Sequence, residues 1–252
     1  MVFTVVAYSE LPSAGATYDA ITAVSDPHLT VQGEDVIVPP EVPNVVAVYG
    51  VGANLTNLRL VSPSIRAMVP IDIVPVDKSA TPSDVSRVAD YRSNPISLVP
   101  EEALNVQASN DAASGSETQV TAIVFLADGP VTPTAGKIFT VKCTSDTELT
   151  EYEWTNGSLT FTQDLPAGRY QVVGMRAESP GLIAARLVFP GYSWRPGVIG
   201  RTSSSQPDIE MFRYGKFGVF GEFDHNRPPT VDFLSSSADT SETVYLDLIK
   251  VA

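Results

Sequence analysis

Two histidines, one cysteine and two loose groups of carboxylates are the residues through which this chain could do chemistry. His28 sits in Asp26-Pro27-His28 and His225 in Asp224-His225-Asn226, both turn-like stretches. A metal centre needs several converging ligands, and neither neighbourhood has their spacing, so both read as loop histidines. Glu148, Glu151 and Glu153 alternate partly with apolar residues and read as a solvated loop or strand face; a carboxylate pair for sugar hydrolysis is the sharper alternative. Asp232, Asp239 and Glu242 could line a calcium loop, although their spacing matches no known one. Cys143 has no second cysteine to pair with and reads as a small buried hydrophobe in Ile138–Cys143.

The glycines of Gly215-Lys216-Phe217-Gly218-Val219-Phe220-Gly221 lie among strand-forming residues with no helix behind them. Close packing or bulges explain them better than a phosphate cradle. No nucleophile–base or zinc-protease motif occurs, which points away from an enzyme and from any cofactor or small-molecule substrate. Asn54-Leu55-Thr56 and Asn156-Gly157-Ser158 match the glycosylation pattern, but the opening Met1–Ala7 lacks the basic start of a secretory signal.

Phe189-Pro190-Gly191-Tyr192-Ser193-Trp194-Arg195-Pro196-Gly197-Val198-Ile199-Gly200-Arg201 is the most unusual segment. It concentrates Tyr192, Trp194, Arg195 and Arg201 in a Pro/Gly-rich loop. Aromatics and arginine are the residue types enriched at interface hot spots. The four are therefore expected at a subunit interface, with Trp194 plugging the end of its own domain as the plainer alternative. Stacking on a sugar is a third reading.

The elements that must position these residues are strands. The chain has 252 residues, 43% hydrophobic, with 20 prolines and 17 glycines scattered between short β-branched runs. Two-residue periodicity recurs at 34–38, 44–49, 57–61, 68–74, 119–126, 136–143, 158–162, 169–177 and 243–251, and a less polar run spans 182–189. Asn156-Gly157 reads as a hairpin turn. One short helix is expected over 82–91, capped by Ser83. The small polar stretch 107–117 reads as a linker or long loop. The expectation is an all-β chain of two tandem β-sandwich (jelly-roll) domains packed side by side, 1–115 and 116–252, with the second opening on 119–126.

Charge narrows the partners. The chain has 29 acidic and 16 basic residues, a net of −13, and its first 58 residues contain no lysine or arginine. Residues 1–118 hold 14 acidic and 5 basic groups, which concentrates the negative charge in the first half. Direct nucleic-acid binding is not expected from such a surface. No apolar stretch reaches the roughly 18 residues of a membrane span.

With two strand-rich halves meeting near residue 110, strands at 119–126 and 243–251 framing the second, and long loops at 190–209 and 224–241, the chain resembles the double jelly-roll major capsid proteins of icosahedral, tailless, membrane-containing viruses. The resemblance is architectural and carries no diagnostic motif. It implies a non-enzymatic homotrimer that self-assembles into a shell, made in the host cytoplasm and found in the virion. Its implied partners are other copies of itself, minor capsid proteins and an internal membrane vesicle. A phage tail, fibre or decoration protein and a carbohydrate-binding β-sandwich module are the alternatives.

Overall fold

The computed structural model describes residues 2–68, 71–73, 88–203 and 208–251, with backbone alone at 66–68 and 71–73. The chain forms two compact units: Val6–Pro130, and Met1–Val5 together with Val131–Ala252. Both are built of antiparallel β-sheets, and the all-β expectation holds.

Eight principal strands make the first unit, the first of them from Val6 onward: β1 (Phe3–Glu10), β2 (Asp19–Ile21), β3 (Asn44–Val51), β4 (Leu55–Val61), β5 (Ile71–Ile73), β6 (Ala89–Asp90), β7 (Ala103–Asn110) and β8 (Val120–Ala127). They form one sheet in the order β1-β8-β3-β6 and another in the order β2-β7-β4-β5. A small hairpin, Val31–Gln32 with Asp35–Ile37, continues the second sheet beside β7, and Ile96–Ser97 adds to β3. A single helical turn and a half, Pro63–Met68, links β4 to β5.

The second unit repeats the plan with β9 (Phe139–Ser145), β10 (Thr155–Gly157), β11 (Arg169–Glu178), β12 (Leu182–Val188), β13 (Gly197–Ile199), β14 (Gly221–Asp224), β15 (Thr230–Ser235) and β16 (Glu242–Lys250). Its sheets run β9-β16-β11-β14 and β10-β15-β12-β13, with Thr160–Phe161 added outside β9. In both units the eight strands therefore stand first-eighth-third-sixth in one sheet and second-seventh-fourth-fifth in the other. That interleaving is the double Greek key of a jelly roll. Each unit is one, although no sequence repeat links them.

Strand sequence explains the layering. In β9, Val141, Cys143 and Ser145 are buried while Thr140 and Lys142 are exposed, the period-2 signature of a half-buried strand. In β8, Val-Thr-Ala-Ile-Val-Phe-Leu-Ala is buried at every position, so the run is continuous rather than alternating. Core residues such as Leu58, Leu104, Val106 and Phe125 are fully enclosed, as are Leu187, Phe233 and Leu246 in the second unit.

Several expectations change. The strand at 120–127 does not open the second domain; it is the eighth strand of the first jelly roll, paired with β3 along seven residues of each strand. Of the polar stretch 107–117 before it, residues 107–110 are the end of β7 and the rest joins β7 to β8 inside one unit. A short polar segment looks the same in sequence whether it links strands or domains. Met1–Val5 belong to the second unit, where Phe3 packs on Phe217 and Phe220. Asn156-Gly157 is strand, not a turn. The Asn156 amide is drawn to Asp232 Oδ1 at 2.7 Å, and a side chain at Gly157 would press on the Ser145 and Thr147 hydroxyls at 2.7 Å. Residues 82–87 of the expected helix lie outside the described residues, and Ala89–Asp90 at its end are strand β6. The glycine-rich Gly215–Gly221 stretch reaches strand only at Gly221, the first residue of β14; Gly215 and Gly218 turn through φ of +77°.

Candidate functional site

The 189–201 segment leaves β12 and returns as β13, so its middle is a loop held at both ends by one sheet. Phe189 is buried against the backbone of Gly221, where a Cβ would approach the ring to 2.6 Å. Tyr192 meets Phe189 edge-on at 5.8 Å, and Trp194 meets Tyr192 the same way at 5.2 Å. These T-shaped contacts suit the ring quadrupoles. Tyr192 and Trp194 are each half-buried, so part of the pair is packed locally and part is accessible.

The two arginines lie deeper. Arg195 is buried and donates through Nη1 to the carbonyls of Tyr192 at 2.6 Å and Trp194 at 3.2 Å. Its backbone takes the Thr4 hydroxyl and the Val5 amide as partners, which pins the loop to the start of the chain. Arg195 thus folds its own loop around itself. Arg201 is also buried, 3.0 Å from Asp208 and 3.6 Å from Glu178. Both guanidinium groups are engaged inside the unit, by loop carbonyls for Arg195 and by Asp208 and Glu178 for Arg201.

Arg201 belongs to a larger, partly buried network. Asp208 accepts from Arg176 at 3.2 Å, Arg201 at 3.0 Å and Arg213 at 2.6 Å. Arg213 reaches on to Asp247, with Nε to Oδ2 at 2.7 Å and Nη2 to Oδ1 at 2.9 Å. The Thr140 hydroxyl and the Tyr214 amide complete the shell of Asp247 at 2.6 and 3.0 Å. Burial alone would raise the Asp247 carboxyl, but the Arg213 and Thr140 bonds outweigh it and hold the group below its ordinary value. The network fastens the segment around 208–214 to strands β9, β11 and β16.

A second buried pair lies in the other sheet. Arg186, fully buried on β12, donates to Asp232 on β15 at 3.0 Å and to the Val5 carbonyl at 3.1 Å. The Trp154 ring covers its guanidinium at 4.0 Å. Asp232 is therefore committed to Arg186 and Asn156, which removes it from the calcium loop considered with Asp239 and Glu242. Among the described residues no three acidic, histidine or cysteine side chains converge as a metal set.

Glu242 itself is the unexpected carboxylate. It is 1% exposed, on the inward-facing stripe that continues as Val244, Leu246 and Leu248, opposite Ser145 in the ladder. Neither carboxylate oxygen has a hydrogen-bond partner. Burial, then repulsion from Asp239 and Asp146, pushes its pKa up to about 7, against the opposing pull of nearby amides. Sequence alone offered one hint: a glutamate in phase with three core positions.

The remaining candidates are quiet. His28 is exposed in a turn, where its amide bonds Asp26 at 2.9 Å. His225 is also in a turn, and its Nδ1 accepts from the Gly168 amide at 3.4 Å. Glu148, Glu151 and Glu153 are exposed. Cys143 is buried, and burial pushes its thiol up to about 12. Gly215 and Gly221 are packing glycines: a Cβ at Gly215 would sit 1.9 Å from the Thr134 carbonyl.

No family model and no curated protein matches the chain. Two solved structures are similar at the level of local arrangement. One is the major capsid protein P2 from bacteriophage PM2, at 12% identity and TM-score 0.25, covering 100% of this chain and 98% of that one. The other is a Paenibacillus xanthan lyase, at 14% identity and TM-score 0.28, covering 99% of this chain but 25% of that one. At such TM-scores neither carries a functional argument.

Proposed function

We propose that this chain is a viral structural protein, a major capsid protein whose subunits trimerise and then tile a closed shell. The observation that carries the reading is topological: two consecutive jelly rolls with the same strand order in one chain of 252 residues. Jelly rolls are the recurrent fold of capsid and lectin domains, and the tandem pair matches the architecture the sequence resembles. Side chains invested in buried ion pairs and packed aromatics serve a rigid building block rather than a reaction. In this reading the protein resides in the virion and is not an enzyme.

The accessible part of the Tyr192–Trp194 pair is the proposed subunit contact, with Arg195 setting the loop's shape through its bonds to the Tyr192 and Trp194 carbonyls. Closed symmetry would repeat the contact around an axis. Light scattering on the full chain tests the idea: the expected mass is three times 26.9 kDa. Trp194→Ala is expected to shift the population toward monomer while changing subunit unfolding little. A wild-type chain that stays monomeric at every concentration overturns trimerisation. A mutant that keeps its assembly and merely melts earlier makes Trp194 a packing residue of its own unit.

A further inference from the structure

The first jelly roll carries a cleft that the capsid reading does not use. It lies on the outer face of the sheet containing β2, β7 and β4 and has a volume of about 660 Å³, within the range of ligand-binding clefts. Its described lining includes Glu34, Asp35, Ser62, Asn105 and Gln107. The cleft exists because two strands share one edge of β7. The Asp35–Ile37 strand pairs with Ala103 and Leu104, whereas β2 pairs with Val106 to Ala108. Asn105 sits at the split between them. Its Nδ2 bridges the gap by donating to the Glu34 carbonyl at 3.0 Å and the Ile21 carbonyl at 3.5 Å.

That arrangement leaves the other half of the amide unsatisfied. Asn105 is 7% exposed, and its Oδ1 has no hydrogen-bond partner. Both amide hydrogens point toward carbonyls, so exchanging O and N would strand a donor instead; the free acceptor is fixed by its surroundings. A buried acceptor without a donor is destabilising, because it has given up water and gained nothing in return. Glu34, Asp35 and Gln107 line the same cleft. The described lining holds no cation. Arg59, the ladder partner of Gln107, turns its guanidinium onto the Tyr18 ring at 3.6 Å.

We propose that this cleft binds a basic segment of a partner protein, with a lysine or arginine side chain entering between Glu34 and Asp35 toward Asn105. Three features select that occupant. The lining offers acceptors, which a chain with several N–H donors satisfies and an anion would not. The cleft is larger than one ammonium group, so it has room for neighbouring backbone. The surrounding sequence is strongly acidic, with no lysine or arginine before residue 59, so a basic partner is attracted from a distance.

The test uses the full chain and a fluorescein-labelled Gly/Ser peptide carrying one lysine and one arginine, followed by anisotropy. Saturable binding is expected, weakened roughly tenfold by Glu34→Gln with Asp35→Asn, since a tenfold loss is the scale of one exposed charge-assisted contact. Gln107→Arg, which supplies a cation from within, should block the peptide while leaving thermal unfolding unchanged. Glu148→Gln with Glu151→Gln, which neutralises exposed charge on the other unit, should change nothing. Loss of binding with the first two variants and not the third supports the proposal. Equal binding by all variants, equal binding of a glutamate-bearing peptide, spermidine displacing the peptide at equal concentration, or no saturable binding would each overturn it.

Discussion

Glu242→Gln gives the sharpest test of how the second jelly roll is built. The side chain is in a core stripe, with neither oxygen hydrogen-bonded and with Asp239 and Asp146 near enough to repel its charge. Its pKa rises from the ordinary 4.5 to about 7 in the folded chain. A raised acid favours the folded state fully while it is protonated in both states, below pH 4.5. That contribution is lost as pH climbs through about 7, where the folded protein must ionise a buried group or open. The shift corresponds to about 3 kcal/mol, from 1.36 kcal/mol per pH unit. Glutamine keeps the shape and removes the titration. The variant should therefore match the wild type near pH 4.5 and become more stable by up to about 3 kcal/mol above pH 7.5. At the usual urea dependence of 1–3 kcal/mol per molar, that is a midpoint difference of roughly 1–3 M. Trp154 and Trp194 are the chain's two tryptophans and both belong to this unit, so selectively excited tryptophan fluorescence reports its unfolding. Other carboxylates titrate in both proteins, and the difference between them isolates Glu242. A difference that stays flat from pH 4.5 to 8 would refute the idea that a buried, repelled carboxylate sits there.

Asp247→Asn should destabilise the same unit by about 3 kcal/mol at neutral pH, because Arg213 loses the fully buried one of its two counter-charges and keeps only Asp208. Asp247 is held below its ordinary value, so its contribution is present above about pH 4 and fades as pH falls. The wild type and the asparagine variant should converge in acid, which the same fluorescence titration would show. Gly215→Ala should cost about 2–4 kcal/mol, since the new methyl would meet the Thr134 carbonyl and the backbone holds φ at +77°. Inorganic phosphate should leave the melting temperature of the wild type unchanged if those glycines serve packing alone.

Much of the fold was readable because strand chemistry is local. Alternation in 139–145 and the unbroken apolar run at 120–127 announce themselves through residue type. The breakers between them mark turns for the same reason. Assigning each strand to a unit is another matter. Val120–Ala127 pairs with Asn44–Val51 across some seventy residues, and hydrogen-bond partners so distant leave no trace in local pattern. The polar residues before it therefore looked like a domain boundary and are a connection within one sandwich. Asn156-Gly157 failed similarly: turn chemistry was present, but Asp232 and the hydroxyls of Ser145 and Thr147 claimed the segment for an edge strand.

By itself the sequence determined that the protein is all-β, strongly acidic in its first half, and equipped with an aromatic loop at 189–201. Those are properties of composition and short-range periodicity, set by side-chain shape and backbone preference. The tertiary structure decided the rest: the shared strand order of the two jelly rolls, the inward burial of Arg195 and Arg201, the carboxylate of Glu242 left without a partner, and the cleft around Asn105. Each depends on which distant residue faces which. The free energy of a buried charge or an unpaired amide is fixed by those neighbours, and they are chosen only when the strands pair.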